Sequence, residues 1–311
     1  MQNNSINTNY NDLFVASIDI GTNSTHLLVA QINSDLKSFT IKFTEKSTTR
    51  LGERDDDGNL TEEAIDRVIE TLKRFKEYCI SYGVSKILAA ATSAVRESPN
   101  GRDLIKRVRE NIGITIELIS GAEEARLIYL GVLSGMSLGN ESHIICDIGG
   151  GSTELILANS KDTRALTSSR IGAVRLKNDF FQDEPLTNSR LDFIKTFIQG
   201  SLEPSIGKIK RRLDKNESIS MIATSGTAIA LGNLISSDLG EPKQKMHGYK
   251  FEKFNLEALL SKLIKLTPFD LRKIPSLSER RSEIIIPGGL ILNISMEMLN
   301  ISTLTISERA L

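Results

Sequence analysis

Asp19-Ile-Gly-Thr-Asn-Ser-Thr-His-Leu-Leu-Val-Ala30 and Asp147-Ile-Gly-Gly-Gly-Ser-Thr-Glu-Leu-Ile-Leu-Ala158 decide the fold of this chain. Laid over one another at an offset of 128 residues, they are identical at seven of twelve positions. A second echo follows at an offset of 132, Ala91-Thr-Ser-Ala94 against Ala223-Thr-Ser-Gly226. Matching elements in the same order at nearly the same long spacing mark a duplicated domain, not a short-period solenoid. Convergence of two strand–turn–strand units on Asp-x-Gly is the alternative, and two echoes in register favour duplication over it.

The pattern around each copy is α/β. Leu13–Ile20, Thr25–Ile32 and Ser38–Lys46 read as three strands. A long helix then starts after Thr61, a good N-cap, with Glu62 and Glu63 facing the positive end of the helix dipole. Ile65, Val68, Ile69, Leu72, Phe75 and Cys79 recur at the helical period, and Gly83 is a natural stop. Strands over Lys86–Ala91 and Thr115–Ile119 alternate with helices over Gly101–Asn111 and Gly121–Gly135. Three strands followed by α/β alternation predict a mixed sheet with helices packed on it. The expected organisation is a disordered tail over residues 1–12, a first lobe over 13–125 and a second over 126–299, with 300–311 returning to the first lobe.

The 311 residues carry 39 Lys+Arg and 39 Asp+Glu, a composition of ordinary globular type. The zero net charge argues against a nucleic-acid binder. It also conceals an asymmetry: residues 1–158 have a net charge of −6 and residues 159–311 of +6. Two cysteines, Cys79 and Cys146, supply neither a disulfide framework nor a metal-binding spacing. The uncharged run Ser218–Ser237 is half Ser, Thr, Gly or Asn, too polar to cross a bilayer. The first residues lack the basic start and apolar stretch of a secretory signal, so a cytoplasmic protein is expected.

Each repeated turn sets a carboxylate at the end of an apolar strand, then glycine, then small hydroxyl or amide side chains. Gly21 is expected to supply positive φ and close backbone approach. Such turns can aim N–H groups and hydroxyls at phosphate, and a carboxylate beside phosphate can hold a divalent cation. The alternative is a pair of ordinary β-hairpin turns, where Gly and Asn are common. Two copies favour a phosphate cleft between lobes over that alternative.

Paired loops of this kind in duplicated lobes resemble the superfamily of actin, sugar kinases and heat-shock ATPases. Within it the motifs resemble the exopolyphosphatase / guanosine pentaphosphate phosphohydrolase (Ppx/GppA) family. The matching stretches are Asp19–Ser24 (DIGTNS), Ala91–Arg96 (ATSAVR), Ser120–Arg126 (SGAEEAR), Asp147–Glu154 (DIGGGSTE), Ala223–Ala228 (ATSGTA), Met246–Gly248 (MHG) and Arg281–Gly288 (RSEIIIPG). Kinases and actins share the DIGGGSTE type but not SGAEEAR. The resemblance implies an α/β, duplicated ribonuclease-H-like two-lobe fold with an interdomain cleft.

By the same resemblance Glu124 is the catalytic base. The residues alone do not choose it over Glu123, although Glu123 already has a capping-box role with Ser120. Asp147 and Glu154 match the acidic positions associated with Mg²⁺ and water positioning; His26 stands at the corresponding place in the first copy. Gly21, Thr22, Asn23, Ser24, Gly149, Gly150, Ser152, Gly226 and Thr227 are the phosphate-cradling candidates. Arg96 is placed near the transferred phosphoryl group, with a surface ion pair as its alternative, and Arg281 matches a family arginine next to Arg280.

The implied reaction is Mg²⁺-dependent release of terminal orthophosphate from inorganic polyphosphate by an activated water. Guanosine pentaphosphate is the alternative substrate, and a nucleotide-binding regulatory protein with weak turnover is the non-enzyme alternative. A polyanion could follow Lys208, Lys210, Arg211, Arg212 and Lys215, then Lys243, Lys245 and Lys250, then Arg272, Lys273, Arg280 and Arg281. The first of these groups also fits a solvated helix end. No nucleic-acid or membrane partner is expected, and a homodimer is an arrangement the chain could take.

Overall fold

The computed structural model describes residues 13–181 and 186–311. The tail expected over 1–12 lies outside the described residues. Internal packing divides the chain at Ile119/Ser120, so Glu124, expected with the first lobe, belongs to the second unit.

The first unit contains β1 (Leu13–Ile20), β2 (Ser24–Asn33), β3 (Ser38–Thr48), α1 (Glu62–Ser81), β4 (Lys86–Ala91), α2 (Ser93–Arg96), α3 (Gly101–Ile112) and β5 (Ile116–Leu118). Its sheet order is β3-β2-β1-β4-β5, with β1–β2–β3 an antiparallel meander and β4 and β5 parallel to β1. The Thr61 hydroxyl accepts from Ala64 N–H and opens α1, whose apolar stripe from Ala64 to Cys79 is buried. The chain leaves α1 through Gly83 at φ 64. One core forms, on the sheet face that α1 and α3 cover. The opposite face keeps Ser17, His26 and Leu88 exposed.

The second unit contains α4 (Gly121–Gly135), β6 (Ser142–Ile148), β7 (Thr153–Ala158), β8 (Thr163–Ser169), α5 (Ala173–Phe180), α6 (Asn188–Lys210), β9 (Ile219–Thr224), α7 (Ser225–Asp238), β10 (Lys250–Glu252), α8 (Lys253–Leu263), α9 (Pro268–Arg272), α10 (Glu279–Met298) and β11 (Thr303–Ile306). Its sheet runs β10-β11-β9-β6-β7-β8. With β10 set aside at the edge, this is the same meander and the same two parallel strands as in the first unit. Each unit is thus a ribonuclease-H-like sheet, and the fold is a duplication.

The closing segment departs from expectation. Residues 300–311 were expected on the first lobe, yet β11 lies within the second sheet, parallel to β9 and antiparallel to β10. The alternation in Thr-Leu-Thr-Ile is the cause: it buries Leu304 and Ile306 completely in this unit's core. The Ser307 N–H then bonds the Ala223 carbonyl at 2.9 Å.

Two cores sandwich the second sheet. A large one lies under α5, α6, α7, α8 and α10, and a smaller one joins Ala125, Ile128, Tyr129 and Val132 of α4 to Ile145, Ile156 and Ile222. As a result β7 is buried along its whole length. Cys79 and Cys146 are free, buried thiols. Among the described residues no helix is long and apolar enough to cross a membrane. The uncharged run Ser218–Ser237 forms β9 and most of α7.

Candidate active site

Sheet register builds the site. Asp147 stands opposite Glu154, Glu154 opposite Ser168, and Thr224 beside Asp147 on the other flank. Because cross-strand partners share a face, one row of the second sheet reads Thr224–Asp147–Glu154–Ser168. Glu124, in the first turn of α4, acts on both Asp147 and Glu154 through its charge. All three carboxylates are nearly inaccessible: Glu124 7%, Asp147 9% and Glu154 2% exposed.

Burial without a cation disfavours their ionised forms. Burial first, then the Glu124 charge, pushes Asp147 up to about 7. Burial, Glu124 and Asp147 push Glu154 well above the usual carboxylate range, while hydroxyl donors on Ser168 and Ser152 pull it back. The Cys146 thiol, on the opposite face of β6, is pushed up by burial and by these same two acids, so it is no nucleophile. Glu123, the competing acid, forms a bidentate pair with Arg126 (2.7 and 2.8 Å) on the helix surface. The Ser120 hydroxyl accepts from Glu123 N–H at 3.2 Å, which caps α4.

The Gly149–Ser152 turn beside the row is oriented by its carbonyls. Gly149 O accepts from Ala173 N–H, and Gly150 O from both Val174 and Arg175 N–H, all at 2.9–3.0 Å. The N–H groups of Gly150 and Gly151 have no acceptor among the described residues. Such amides are what an anion needs. Gly172 makes the arrangement fit, since a Cβ there would stand 2.5 Å from the Gly150 backbone. Ser152, expected to cradle phosphate, is buried in this turn, where its hydroxyl lowers the pKa of Glu154.

The β9–α7 turn adds a cationic anchor. Arg281, in the first turn of α10, lies over Gly226, where a Cβ would be 1.8 Å from its Nη2. Its Nη1 donates to Thr227 Oγ1 at 3.3 Å. Burial, then Arg280, holds its guanidinium below the usual arginine range. Among the described residues no carboxylate pairs with it. Gly288 lets α10 approach this turn, because a Cβ would be 2.4 Å from Thr227 Cγ2. Ser225 holds φ at 86, a left-handed value unfavourable for a serine, and such strain collects at functional turns.

The first unit repeats the frame. Gly21 N–H bonds Ser24 O at 3.1 Å, as Gly149 N–H bonds Ser152 O at 2.9 Å. Thr22 O and Asn23 O accept from Gly52 and Arg50 N–H. Thr22 Oγ1 lies 3.1 Å from Ser93 Oγ, which ties the hairpin to the β4–α2 turn. Gly21 does not take the positive φ expected of it; a Cβ there would sit 3.0 Å from the Ser24 carbonyl, a tight contact that glycine avoids. Arg96 ends α2 with Nη1 donating to Ile119 O at 2.8 Å. Among the basic clusters, Lys208 bonds Leu166 O and Lys273 lies over the Phe269 ring.

Sequence reasoning missed Ser168, Gly172 and Ser225. Gly172 carried a signal, a glycine between a strand end and an apolar helix start. A serine in Thr-Ser-Ser carries none.

Fold and site together define a two-domain phosphate-handling protein with a buried acidic centre. The profile of the Ppx/GppA phosphatase family matches residues 28–311, and the chain belongs to that family. It is 30% identical over 300 residues to Exopolyphosphatase 1 of Mycobacterium tuberculosis, covering 94% of this chain and 84% of that one. It is 31% identical to the bifunctional 3-dehydroquinate synthase/phosphatase of Fusobacterium nucleatum, matching 96% of this chain but 45% of that protein. A crystal structure of an exopolyphosphatase from Cytophaga hutchinsonii superposes with a TM-score of 0.87 at 28% identity, covering 96% and 94% of the two chains. The Aquifex aeolicus Ppx/GppA enzyme gives 0.79 at 26% identity, covering 96% of both. The fold is the actin-like two-domain fold of these enzymes.

Proposed function

We propose that this protein is an exopolyphosphatase that releases terminal orthophosphate from inorganic polyphosphate. The observation that carries the proposal is the buried Asp147–Glu154 row faced by Glu124, next to a turn whose amides suit a phosphoryl group, as does the buried Arg281, which pairs with no carboxylate among the described residues. Similarity to proteins named exopolyphosphatase supports the choice of substrate.

In this reading a water attacks the terminal phosphorus in line. The new P–O bond forms as the bridging P–O bond breaks, and the shortened chain leaves with the bridging oxygen. Glu124 Oε takes the proton from the water. Glu154 orients that water, Gly150 and Gly151 N–H and Arg281 hold the phosphoryl oxygens, and Arg281 stabilises their charge in the transition state.

The donor set fits Mg²⁺. Among the described residues no three His, Cys, Asp or Glu converge into an enclosing cluster. Mg²⁺ is ordinarily held by one or two carboxylates with waters and substrate phosphates, however. Asp147 and Glu154 are such a pair, of hard oxygen donors whose ionised forms burial disfavours in the absence of a cation. When bound there, the ion supplies charge neutralisation of phosphate oxygens.

The test is phosphate release from polyphosphate and from guanosine pentaphosphate, with and without Mg²⁺, for wild type and Glu124→Gln. Glu124→Gln is expected to lose turnover by about 10²- to 10⁴-fold while still binding polyphosphate. Normal turnover in Glu124→Gln removes Glu124 as base. Release from guanosine pentaphosphate alone reassigns the substrate. No release from either favours a binding protein.

A further inference from the structure

Glu154 is held by a side chain that nothing in the motif predicts. Ser168 stands opposite it on β8, and its Oγ–H donates to Glu154 Oε1 at 2.7 Å. The acceptor is 2% exposed, so water does not compete for this bond. The Ser152 hydroxyl, in the β6–β7 turn, also lowers the pKa of this carboxylate. The Ser168 bond, made from the neighbouring strand, restrains the carboxylate's terminal torsion, which is otherwise broad in glutamate.

From this geometry we infer that Ser168 is a positioning residue: it sets the Glu154 carboxylate for the water or cation at the reacting phosphoryl group. The inference rests on the proposed role of Glu154. Hydroxyls that orient a working carboxylate typically matter by 10- to 100-fold in metal affinity or rate when removed. A hydroxyl serving only strand packing would contribute to stability without touching either quantity.

The row offers an internal contrast. In the first unit the place of Ser168 is taken by Lys46, opposite His26. The hydroxyl therefore accompanies the acid, not the hairpin.

The experiment compares wild type, Ser168→Ala and Ser168→Thr, each alone and combined with Glu154→Gln. Melting midpoints first establish that the variants are folded. Phosphate release from polyphosphate gives kcat and KM, and Mn²⁺ titration followed by electron paramagnetic resonance gives cation affinity without turnover. We expect Ser168→Ala to lower kcat or Mn²⁺ affinity by about 10- to 100-fold with KM within about twofold. Ser168→Thr keeps the hydroxyl on a residue suited to strands and should recover most of the loss. In the Glu154→Gln background, Ser168→Ala should change neither quantity by more than about twofold, because it acts through Glu154.

Wild-type kcat and Mn²⁺ affinity in Ser168→Ala overturn the inference, as does failure of threonine to rescue or an additive double variant. A wild type that binds Mn²⁺ but releases no phosphate overturns the proposed activity alone, and the Mn²⁺ arm still decides Ser168. A wild type that hydrolyses polyphosphate without binding Mn²⁺ removes the cation, and kcat decides.

Discussion

The two hairpins share a backbone frame and a strand-end aspartate, and differ in the residues set beside it. Gly21–Ser24 and Gly149–Ser152 close with the same hydrogen bond, and each turns its carbonyls toward amides further along the chain. The rows beneath them read Ala90–Asp19–His26–Lys46 in one unit and Thr224–Asp147–Glu154–Ser168 in the other. In the first unit His26 is exposed; in the second Glu154 is sealed. The cause is α4, which lays Ala125, Ile128 and Val132 over the second sheet's outer face and brings Glu124 with it. Duplication supplied two like turns, and covering one of them with a helix made a low-dielectric acidic centre.

The largest expected effect comes from giving the second hairpin the first one's chemistry. Glu154→His places a group with a different charge and reach in a site already containing Asp147 and Glu124. Turnover should fall by roughly 10³-fold or more, on the scale of losing an acid–base or charge-stabilising group. Phosphate-release assays check this, and near-normal turnover would show that the acid at position 154 is dispensable.

The next effect probes the anchor beside the row. Gly226→Ala puts a methyl where Arg281 Nη2 now lies, so the guanidinium must leave Thr227. Arg281→Met removes it outright. A charge-assisted hydrogen bond to phosphate is worth about 1.5–3 kcal/mol, so each variant should raise KM or lower kcat/KM by roughly 10- to 100-fold. Equal effects from the two, with no further loss in the double variant, would show that the glycine exists for the arginine.

How much of this could be read in advance follows from the kind of signal each residue carries. The repeat at Asp19 and Asp147 foretold both sheets, because strand–turn–strand identity is local and survives in sequence. The α1 cap and stripe were legible for the same reason. The partner of Thr303–Ile306 was not, since alternation announces a strand without naming its neighbour. Glu124, Asp147, Glu154 and Arg281 were singled out as candidates through motifs. Ser168 acts through register across two strands, and Ser225 through a backbone angle, and neither leaves a mark in composition or spacing.

A smaller effect tests the second unit's acidic centre by pH. Asp147 has its folded value raised to about 7 against 3.8 for the ordinary group. The unfolded chain releases that proton near pH 4, whereas the folded chain keeps it. Without a cation, stability therefore falls as pH rises through this interval, by up to about 1.4 kcal/mol per pH unit, and levels off above it. Glu154 acts in the same direction. Glu217, lowered to about 2 by Arg164, acts oppositely but below the window. In chelator, melting midpoints between pH 5 and pH 8 should drop by several degrees in wild type and by clearly less in Asp147→Asn. Added Mg²⁺ should restore wild type at pH 8, because it binds the ionised pair in the folded chain only.

The smallest effect is the reverse graft. His26→Glu gives the first hairpin the acid of the second, in register beside Asp19 and Lys46. If acidity at this place were enough, the change would create a second centre; if coverage decides, it should do almost nothing. Position 26 is exposed, so water solvates the new carboxylate, and surface substitutions of this kind usually stay within about 0.5 kcal/mol. Neighbouring charges offset one another, with Asp19 opposing the new carboxylate and Lys46 favouring it. The melting midpoint should move by no more than a degree or two, and phosphate release should not rise. A measurable gain of activity in His26→Glu on a Glu154→Gln background would mean that the turn and its acid suffice without a covering helix, and would reverse the lesson of the comparison.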